Sequence, residues 1–323
     1  KDSMMIRIQN PTWTFSRFQA AQAFAAVLMS CGMGLSQAAE PIEFYEAEPG
    51  LYIHVGHVAL PDSTNQGDTS NIAFVVGDDM VAVVDAGGSR TVGQATLAAI
   101  RTVTDKPVGW LILTHMHPDH VAGSGPLVEA GATVIAHAGY EASIAPRRDF
   151  YRDLEVRRQA GDPEAFFFPV ADEVVEGDRI IDLGNRRLRL TSWPVAHTAS
   201  DLTVLDEASG TLIAGDLVFV DHVPTLDGSL KGWIAAWPRL AALPARQVVP
   251  GHGPAPRPWP DALQDESRYL AVLARDISAQ IASGGSIGAA QAGAAASERD
   301  RWALFDAYQG QNVSAAFTEL EWE

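Results

Sequence analysis

Seven histidine and aspartate residues follow apolar runs at positions that suit a metal site. Four of them lie together in the segment LILTHMHPDHVAG: His115, His117, Asp119 and His120. In an extended backbone, residues two apart point to the same side, so His115 and His117 can project together. Pro118 favours an extended His117 and then suits the first turn of a helix, which places Asp119 and His120 at the start of that helix. Four possible metal ligands therefore leave one strand-to-helix corner.

Three further residues end predicted strands elsewhere in the chain. His197 ends TSWPVAH, Asp216 ends TLIAGD and His252 ends QVVPGH. Each is followed by loop residues, so we expect all three to open onto the same edge of the sheets. Such a cluster is costly to bury without a cation, whereas neutral imidazoles and carboxylates bind zinc, iron and manganese. The pattern therefore predicts that all seven residues contribute to one metal-binding site.

The arrangement HxHxDH, followed by single His, Asp and His residues, resembles the metallo-β-lactamase superfamily. The similarity runs from NIAFVVGDDMVAVVDAGG to PGHGP. Within the superfamily the chain resembles the glyoxalase-II-like branch. The segments PTLDGSLKGW and NVSAAFTELEWE are most similar to those of the periplasmic quinoprotein relay system and sulfur-oxidation-cluster zinc metallohydrolases.

This resemblance implies an α/β (α+β) fold, the αββα metallo-β-lactamase sandwich, in which two mixed β-sheets are flanked by helices. It also implies two Zn²⁺ ions per chain, with iron or manganese as alternatives. The implied ligands are His115, His117 and His197 for the first metal, Asp119, His120 and His252 for the second, and Asp216 between the two. The β-lactamases proper carry a cysteine or a non-ligand residue where this chain has Asp216, so we expect at most weak β-lactamase activity.

A pair of divalent ions can share one water and lower its pKa towards roughly 7. We predict that the resulting metal-bridging hydroxide attacks the carbonyl of a small thioester, ester, lactone or amide. Asp119 is the expected catalytic residue, which orients the nucleophile or moves its proton. Asp85, at the end of VAVVD, is expected either to orient an imidazole by hydrogen bonding or to stabilise the turn at Gly87 and Gly88.

The loop VFVDHVPTLDGSLKGW is expected to form one side of the substrate cleft. Its candidate substrate contacts are His222, Asp227, Ser229 and Trp233. The other histidines outside the motif, His54, His57 and His137, are interpreted as ordinary polar residues.

Short apolar strands alternate with amphipathic helices along the chain. The segment TVGQATLAAIRTVT has helical spacing that places Leu97, Ile100 and Val103 on one face. A second predicted helix, DALQDESRYLAVLARDISAQIASGG, stops at its two final glycines.

Residues 141–170 change character, because Arg, Asp and Glu are dense there and aromatic residues are interspersed. We predict a helical insertion. Its aromatics, Phe150, Tyr151 and Phe166–Phe168, are expected to pack in the core, and the alternative is that they overhang a pocket.

The N-terminus is interpreted as a leader that is separate from the fold. Residues 1–3 resemble an expression remnant, and a charged, then apolar, then small-residue order predicts a secretory signal peptide cleaved near Ala38 or Ala39. The predicted leader covers residues 1–39. Residues 40–323 are expected to form one metallo-β-lactamase-fold hydrolase domain, which ends in C-terminal helices. The expected location is periplasmic or secreted, with no stable membrane insertion after cleavage. The removed segment contains the only cysteine, Cys31.

The formal net charge of −17 argues against a nucleic-acid partner or a nucleic-acid phosphodiesterase. A small-molecule substrate is expected instead, and the oligomeric state is left open. Two rival functions remain: a mononuclear-iron sulfur (persulfide) dioxygenase of the same superfamily, and a non-catalytic metal or ligand carrier. The complete ligand set disfavours the carrier.

Overall fold

The computed structural model describes residues 42–322. The predicted signal peptide lies outside the described residues, so its cleavage site stays a prediction. Between residues 42 and 322, none of the helices combines the length and the apolar character that a membrane span requires.

Two mixed β-sheets form the centre of the described fold. The first has the strand order β1-β2-β3-β4-β5-β6-β7 and the second the order β13-β12-β11-β10-β9-β8. The strands of the first sheet are β1 (Tyr45–Glu48), β2 (Leu51–His54), β3 (Ile72–Val76), β4 (Val81–Val84), β5 (Val108–Ile112), β6 (Thr133–His137) and β7 (Glu173–Val175). Those of the second are β8 (Asp178–Asp182), β9 (Arg187–Ser192), β10 (Leu202–Asp206), β11 (Thr211–Phe219), β12 (Gln247–His252) and β13 (Arg257–Pro258).

Helices cover the outer face of each sheet. They are α1 (Arg90–Val103), α2 (Pro118–Val121), α3 (Gly125–Glu129), α4 (Tyr140–Ile144), α5 (Arg148–Gln159), α6 (Leu230–Ala241), α7 (Leu263–Ala282), α8 (Ile287–Gly293) and α9 (Phe305–Glu321). Helices α1 to α5 accompany the first sheet, and α6 to α9 accompany the second.

The alternation of side chains along each strand explains the layers. In β4, Val81 and Val83 join the core between the first sheet and its helices. Ala82 and Val84 point the other way, into the core between the two sheets. A strand buried on both faces must be apolar throughout, as this one is. The predicted αββα sandwich of two mixed sheets flanked by helices is confirmed.

Two predicted helices are confirmed with one correction. Helix α7 ends at Ala282, just before Gly284 adopts the left-handed region with φ 71°. Helix α1 is present, but its buried stripe is Val92, Thr96 and Ile100, and Val103 is 39% exposed. Ile100 is buried and Leu97 packs partly buried against the same core, as predicted, whereas Val103 at the end of the helix does not belong to the buried face.

Candidate metal centre

The predicted histidines and aspartates converge at one edge of the two sheets. His115 and His117 follow β5, His120 lies in α2, and His252 is the last residue of β12. His197 lies in the loop between β9 and β10, later than the strand end that the sequence predicted. Strands β4 and β5 are parallel, as are β11 and β12, so their carboxyl ends open at the same side.

Asp216 differs from its predicted setting because β11 continues past it to Phe219. Gly215 beside it has φ 53°, and a Cβ at that position would lie 2.6 Å from the Thr114 side chain. A Cβ on Gly251 would lie 1.9 Å from Asp216 Oδ1. Two glycines therefore make the room in which the carboxylate reaches the cluster from within a strand.

The seven side chains form two groups, which we call together the histidine–aspartate cluster. Within each group, the possible ligand atoms lie within 4.8 Å of one another. One group is His115, His117, His197 and Asp216, and the other is Asp119, His120 and His252. The carboxylate of Asp216 also reaches the second group, because its Oδ1 lies 3.1 Å from His120 Nε2 and its Oδ2 lies 3.4 Å from His252 Nε2.

Each imidazole directs one ring nitrogen away from the centre to a hydrogen-bond partner. His197 Nδ1 contacts the Thr225 carbonyl at 2.7 Å and His252 Nδ1 contacts the Thr69 carbonyl at 2.8 Å. A carbonyl can only accept, so in both rings Nδ1 carries the proton and Nε2 carries the lone pair.

The inward nitrogens lie closer together than neutral rings without a cation would favour. His117 Nδ1 is 3.2 Å from His115 Nε2 and 3.0 Å from His197 Nε2, and His120 Nε2 is 3.4 Å from His252 Nε2. Asp216 Oδ1 is buried and has no hydrogen-bond donor within the described residues. Facing lone pairs and an orphaned carboxylate oxygen are the donor set of divalent cations. The residues present therefore fit the implied metal ions.

The pKa values of the cluster histidines shift in opposite directions, depending on burial and on nearby carboxylates. Burial, assisted by His120, lowers the pKa of His115 well below its usual value, and burial lowers that of His197 to about 4. Burial also opposes the charge on His120, but the carboxylates of Asp216 and Asp85 raise its pKa well above the usual value. The second group thus lies in the more negative surroundings, which favour a cation.

Asp85 connects two of the imidazoles. Its Oδ2 accepts from His120 Nδ1 at 2.7 Å and from the Thr114 hydroxyl at 2.7 Å. Because the Thr114 hydroxyl donates to Asp85, it accepts from His115 Nδ1 at 3.0 Å. Asp85 therefore orients His120 directly and His115 through Thr114.

Asp227 holds the remaining imidazole. Its Oδ2 lies 3.1 Å from His117 Nε2, which leaves His117 Nδ1 facing the centre. Arg147 approaches the same carboxylate, with Nη2 3.4 Å from Oδ1 and Nη1 3.4 Å from Oδ2. The charge of Arg147 is thus shared with an aspartate that already binds a histidine.

A pocket of about 480 Å³ opens above the cluster. His117, Asp119, Asp216 and His252 lie at its base. Its side, which we call the α5/α9 wall, consists of Arg147, which precedes α5, with Phe150, Tyr151, Leu154 and Arg158 of α5 and Tyr308 and Gln311 of α9. The size is that of a small-molecule site.

The substrate contacts predicted from the sequence divide into two pairs. His222 and Asp227 line the pocket. Ser229 instead caps α6, where it accepts from the Gly232 amide at 2.9 Å. Trp233 is fully buried in the core under the second sheet, with its ring 5.4 Å from that of His197. The polar loop chemistry of Ser229 serves the helix start, and the size of Trp233 fills the core, so neither lines the pocket.

The insertion at 141–170 contributes to both the core and the pocket. Phe166 and Phe168 are buried as predicted. Phe150 is 59% exposed and lines the pocket, and Tyr151 lines it as well while remaining 8% exposed. The expected packing role is confirmed for Phe166 and Phe168 but is wrong for Phe167, which is 42% exposed, and the overhang describes the earlier pair. His54, His57 and His137 lie outside the cluster.

Sequence reasoning missed the arginines and the C-terminal residues of the pocket. The signal was present at and after the start of α5, where Arg147, Tyr151, Leu154 and Arg158 recur at spacings of four, three and four. That spacing is typical of one helical face. Tyr308 carried no comparable signal, because it meets the pocket only through the docking of α9.

The two segments that suggested a narrower branch contact each other. Asn312 Nδ2 donates to the Pro224 carbonyl at 2.7 Å, and the Leu226 amide donates to Asn312 Oδ1 at 2.9 Å. Glu319 accepts from the Ser229 hydroxyl and from the Leu230 amide. The C-terminal helix therefore holds the loop that contains Asp227.

Comparison with known proteins gives a family match and several similar folds. The sequence model of the metallo-beta-lactamase superfamily matches residues 65–252, which is more than half of the chain. No curated protein matches the sequence.

Three solved structures illustrate the shared fold. A metallo-beta-lactamase from Pontibacter korlensis has a TM-score of 0.58 and 21% identity, and the match covers 71% of this chain and 98% of that one. A metallo-beta-lactamase family protein from Thermus thermophilus has a TM-score of 0.63 and 20% identity over 85% of this chain and 93% of that one. The stereoselective inverting sec-alkylsulfatase Pisa1 from Pseudomonas sp. has a TM-score of 0.65 and 15% identity over 86% of this chain and 50% of that one.

The matched segment begins before Asp85 and ends at His252, so it spans the whole histidine–aspartate cluster. Its sandwich fold and its convergent imidazoles and carboxylates are those of a metal-dependent hydrolase. The chain belongs to the metallo-β-lactamase superfamily.

Proposed function

We propose that this chain is a binuclear zinc hydrolase that cleaves a thioester, ester, lactone or amide of small size. The observation that carries the proposal is the position of Asp216. Its two carboxylate oxygens lie 3.1 to 3.4 Å from imidazole nitrogens of both groups of the cluster. A single cation would leave one group of buried nitrogens without a partner, whereas two cations use both groups.

The proposed ligands divide as the resemblance implies: His115, His117 and His197 for the first zinc, Asp119, His120 and His252 for the second, and Asp216 for both. When bound, such a pair supplies Lewis acidity and an activated water. The same donors also accept iron and manganese, so the donor types alone do not select the metal. Zinc is proposed as the native metal from the family resemblance.

Asp119 is the proposed catalytic carboxylate. Its side chain is 21% exposed and lies at the base of the pocket, and Thr69 Oγ1 lies 3.4 Å from its Oδ2. An oxygen that faces both the cluster and the pocket can orient the attacking water and hold the proton that the water loses. The other aspartates, Asp85 and Asp227, instead bind the outer nitrogens of His120 and His117 and fix those rings.

We also propose that the chain belongs to the glyoxalase-II-like branch, near the quinoprotein relay system and sulfur-oxidation-cluster hydrolases. The support is the resemblance of the segments PTLDGSLKGW and NVSAAFTELEWE to this group, and the two segments contact each other through Asn312 and Glu319. Export to the periplasm is the accompanying proposal, and it rests on the order of residues in the leader. N-terminal sequencing of the exported protein is expected to begin just after Ala38 or Ala39, and an uncleaved leader would contradict it.

Elemental analysis combined with a substrate panel tests the function. Protein prepared without added metal is expected to contain two zinc ions per chain and to hydrolyse at least one of a set of thioesters, lactones, aryl esters and amides. A β-lactam, a secondary alkyl sulfate and a glutathione persulfide complete the panel. One iron per chain with oxygen uptake on the persulfide would replace the proposal with the dioxygenase function.

A further inference from the structure

The α5/α9 wall carries two arginines at opposite ends of α5. Arg147 and Arg158 are eleven positions apart, which is about 16 Å along a helix. Both line the pocket, although the chain as a whole is strongly acidic. Their different partners show which of them is suited to bind a ligand.

Arg147 already forms an ion pair with an aspartate inside the site. Both of its terminal nitrogens lie 3.4 Å from the carboxylate of Asp227, which in turn binds His117. An anionic ligand at Arg147 would have to displace contacts of both terminal nitrogens, whereas Arg158 contacts its own carboxylate partner through Nη1 alone. Arg147 is therefore a positioning residue for Asp227.

Arg158 is anchored from behind by a buried carboxylate. Its Nη1 donates to Glu155 Oε1 at 3.1 Å, and Glu155 is 2% exposed. Gln159 donates to the other oxygen of Glu155 at 2.8 Å and to the Gly88 carbonyl at 3.2 Å. A buried carboxylate is costly unless it has partners, and Arg158 Nη1 and Gln159 are the partners of Glu155.

The pocket side of Arg158 remains available to a ligand. The arginine side chain is 40% exposed, and its planar fork of five N–H groups makes its contact with Glu155 through Nη1. Such a fork suits a carboxylate or a similar oxyanion, which can accept two parallel hydrogen bonds. Gln311 lines the same pocket from α9 and adds a polar group.

Apolar surface separates Arg158 from the arginine at the other end of α5. Tyr151 and Leu154 lie between them on the same helical face, and Phe150 is beside them with 59% of its surface exposed. Tyr308 lines the pocket from α9, and its ring lies 5.3 Å from that of His222. A ligand in the pocket therefore meets the cluster, an apolar surface and the cation of Arg158 within one cavity.

We propose that Arg158 binds an anionic group of the substrate, and that the substrate is a carbonyl compound with a carboxylate or similar oxyanion at the far end of an apolar chain. This inference rests on the proposed function for the reacting end of the molecule. It adds the class of substrate and the residue that selects it.

A matched pair of esters tests the inference. The 4-nitrophenyl monoester of adipic acid ends in a carboxylate, and 4-nitrophenyl hexanoate has the same chain ending in methyl. R158Q is expected to lower kcat/KM for the adipate ester about tenfold, the loss of one charge-assisted contact, and to leave the hexanoate within about twofold. R157Q is the control, since Arg157 is exposed on the same helix and does not line the pocket.

Binding gives a second readout that does not require turnover. Calorimetry on the metal-loaded protein is expected to show tighter binding of adipate than of hexanoate. The difference should disappear in R158Q, persist in R157Q and be partly retained in R158K. If no thioester, ester, lactone or amide of the panel is hydrolysed but the preference for adipate depends on Arg158, the proposed function fails and the anion site stands. An equal effect of R158Q on both members of each pair, or no effect on either, would overturn the anion site.

Discussion

The histidine–aspartate cluster and the α5/α9 wall border one pocket but are held in different ways. His120 and His197 have no exposed surface, and each ring is hydrogen-bonded on its outer side. In the wall, Phe150 and Arg158 are exposed, and one ion pair to Glu155 anchors the arginine. A side chain fixed from several directions cannot be altered without disturbing its neighbours, whereas an exposed one can. The cluster should therefore govern the chemistry, and the wall the choice of substrate.

The largest effect is expected from removing the carboxylate between the two groups. Asp216→Ala should lower metal content and reduce kcat/KM by about 10³-fold or more, because several kcal/mol of electrostatic stabilisation are lost. Metal analysis and kinetics on the same preparation measure both. His117→Ala should also lower both the metal content and kcat/KM. His57→Ala is the matched control, because the His57 side chain is 68% exposed and lies outside the cluster. A fully active, metal-free Asp216→Ala protein would contradict the role of the cluster.

An intermediate effect is expected at Asp85, one step away from the centre. Asp85→Asn removes the charge that orients His120 and, through Thr114, His115. Metal affinity should fall about 10- to 100-fold, as is typical for partners of metal-bound histidines. Competition with a chelator measures the affinity, and Asp78→Asn, at an exposed bend, controls for the loss of one charge. Unchanged affinity would mean that the Asp85 contacts serve only the turn.

The smallest effect is expected in the wall. Phe150→Ala should change the free energy of unfolding by no more than about 0.5 kcal/mol, because the ring is mostly exposed. KM for an apolar substrate should rise about threefold, the loss of part of a ring contact, while metal content stays unchanged. Steady-state kinetics and a denaturation curve measure the two quantities. A large loss of stability or of metal would remove the distinction between wall and cluster.

The cluster could be predicted from the sequence because its signals are local. Strand β5 ends at Ile112, earlier than the sequence predicted, but His115 and His117 still follow it closely, and Pro118 begins α2 as its type predicts. The setting of Asp216 could not be read in the same way. Its approach depends on close contact with Gly251, which is distant in sequence and lies on a neighbouring strand.

The α5/α9 wall could not be predicted because its residue types, unlike a histidine–aspartate motif, do not by themselves indicate a binding site. An amphipathic helix shows which residues share a face but not what that face meets, so the sequence left open whether the aromatics of the 141–170 insertion pack in the core or overhang a pocket. Ser229 and Trp233 illustrate the same difficulty. Both lie in the loop and helix that border the site, yet one caps α6 and the other is buried. Only the three-dimensional packing separates them from Asp227.

Stepwise reconstitution of the metal-free protein tests the central claim most directly. Zinc would be added in fractions of one equivalent while bound metal and ester or thioester hydrolysis are followed together. We predict binding that saturates at two zinc ions per chain, with activity that reaches its full value only as the second ion binds. Saturation of both binding and activity at one metal ion would contradict the two-metal centre built around Asp216.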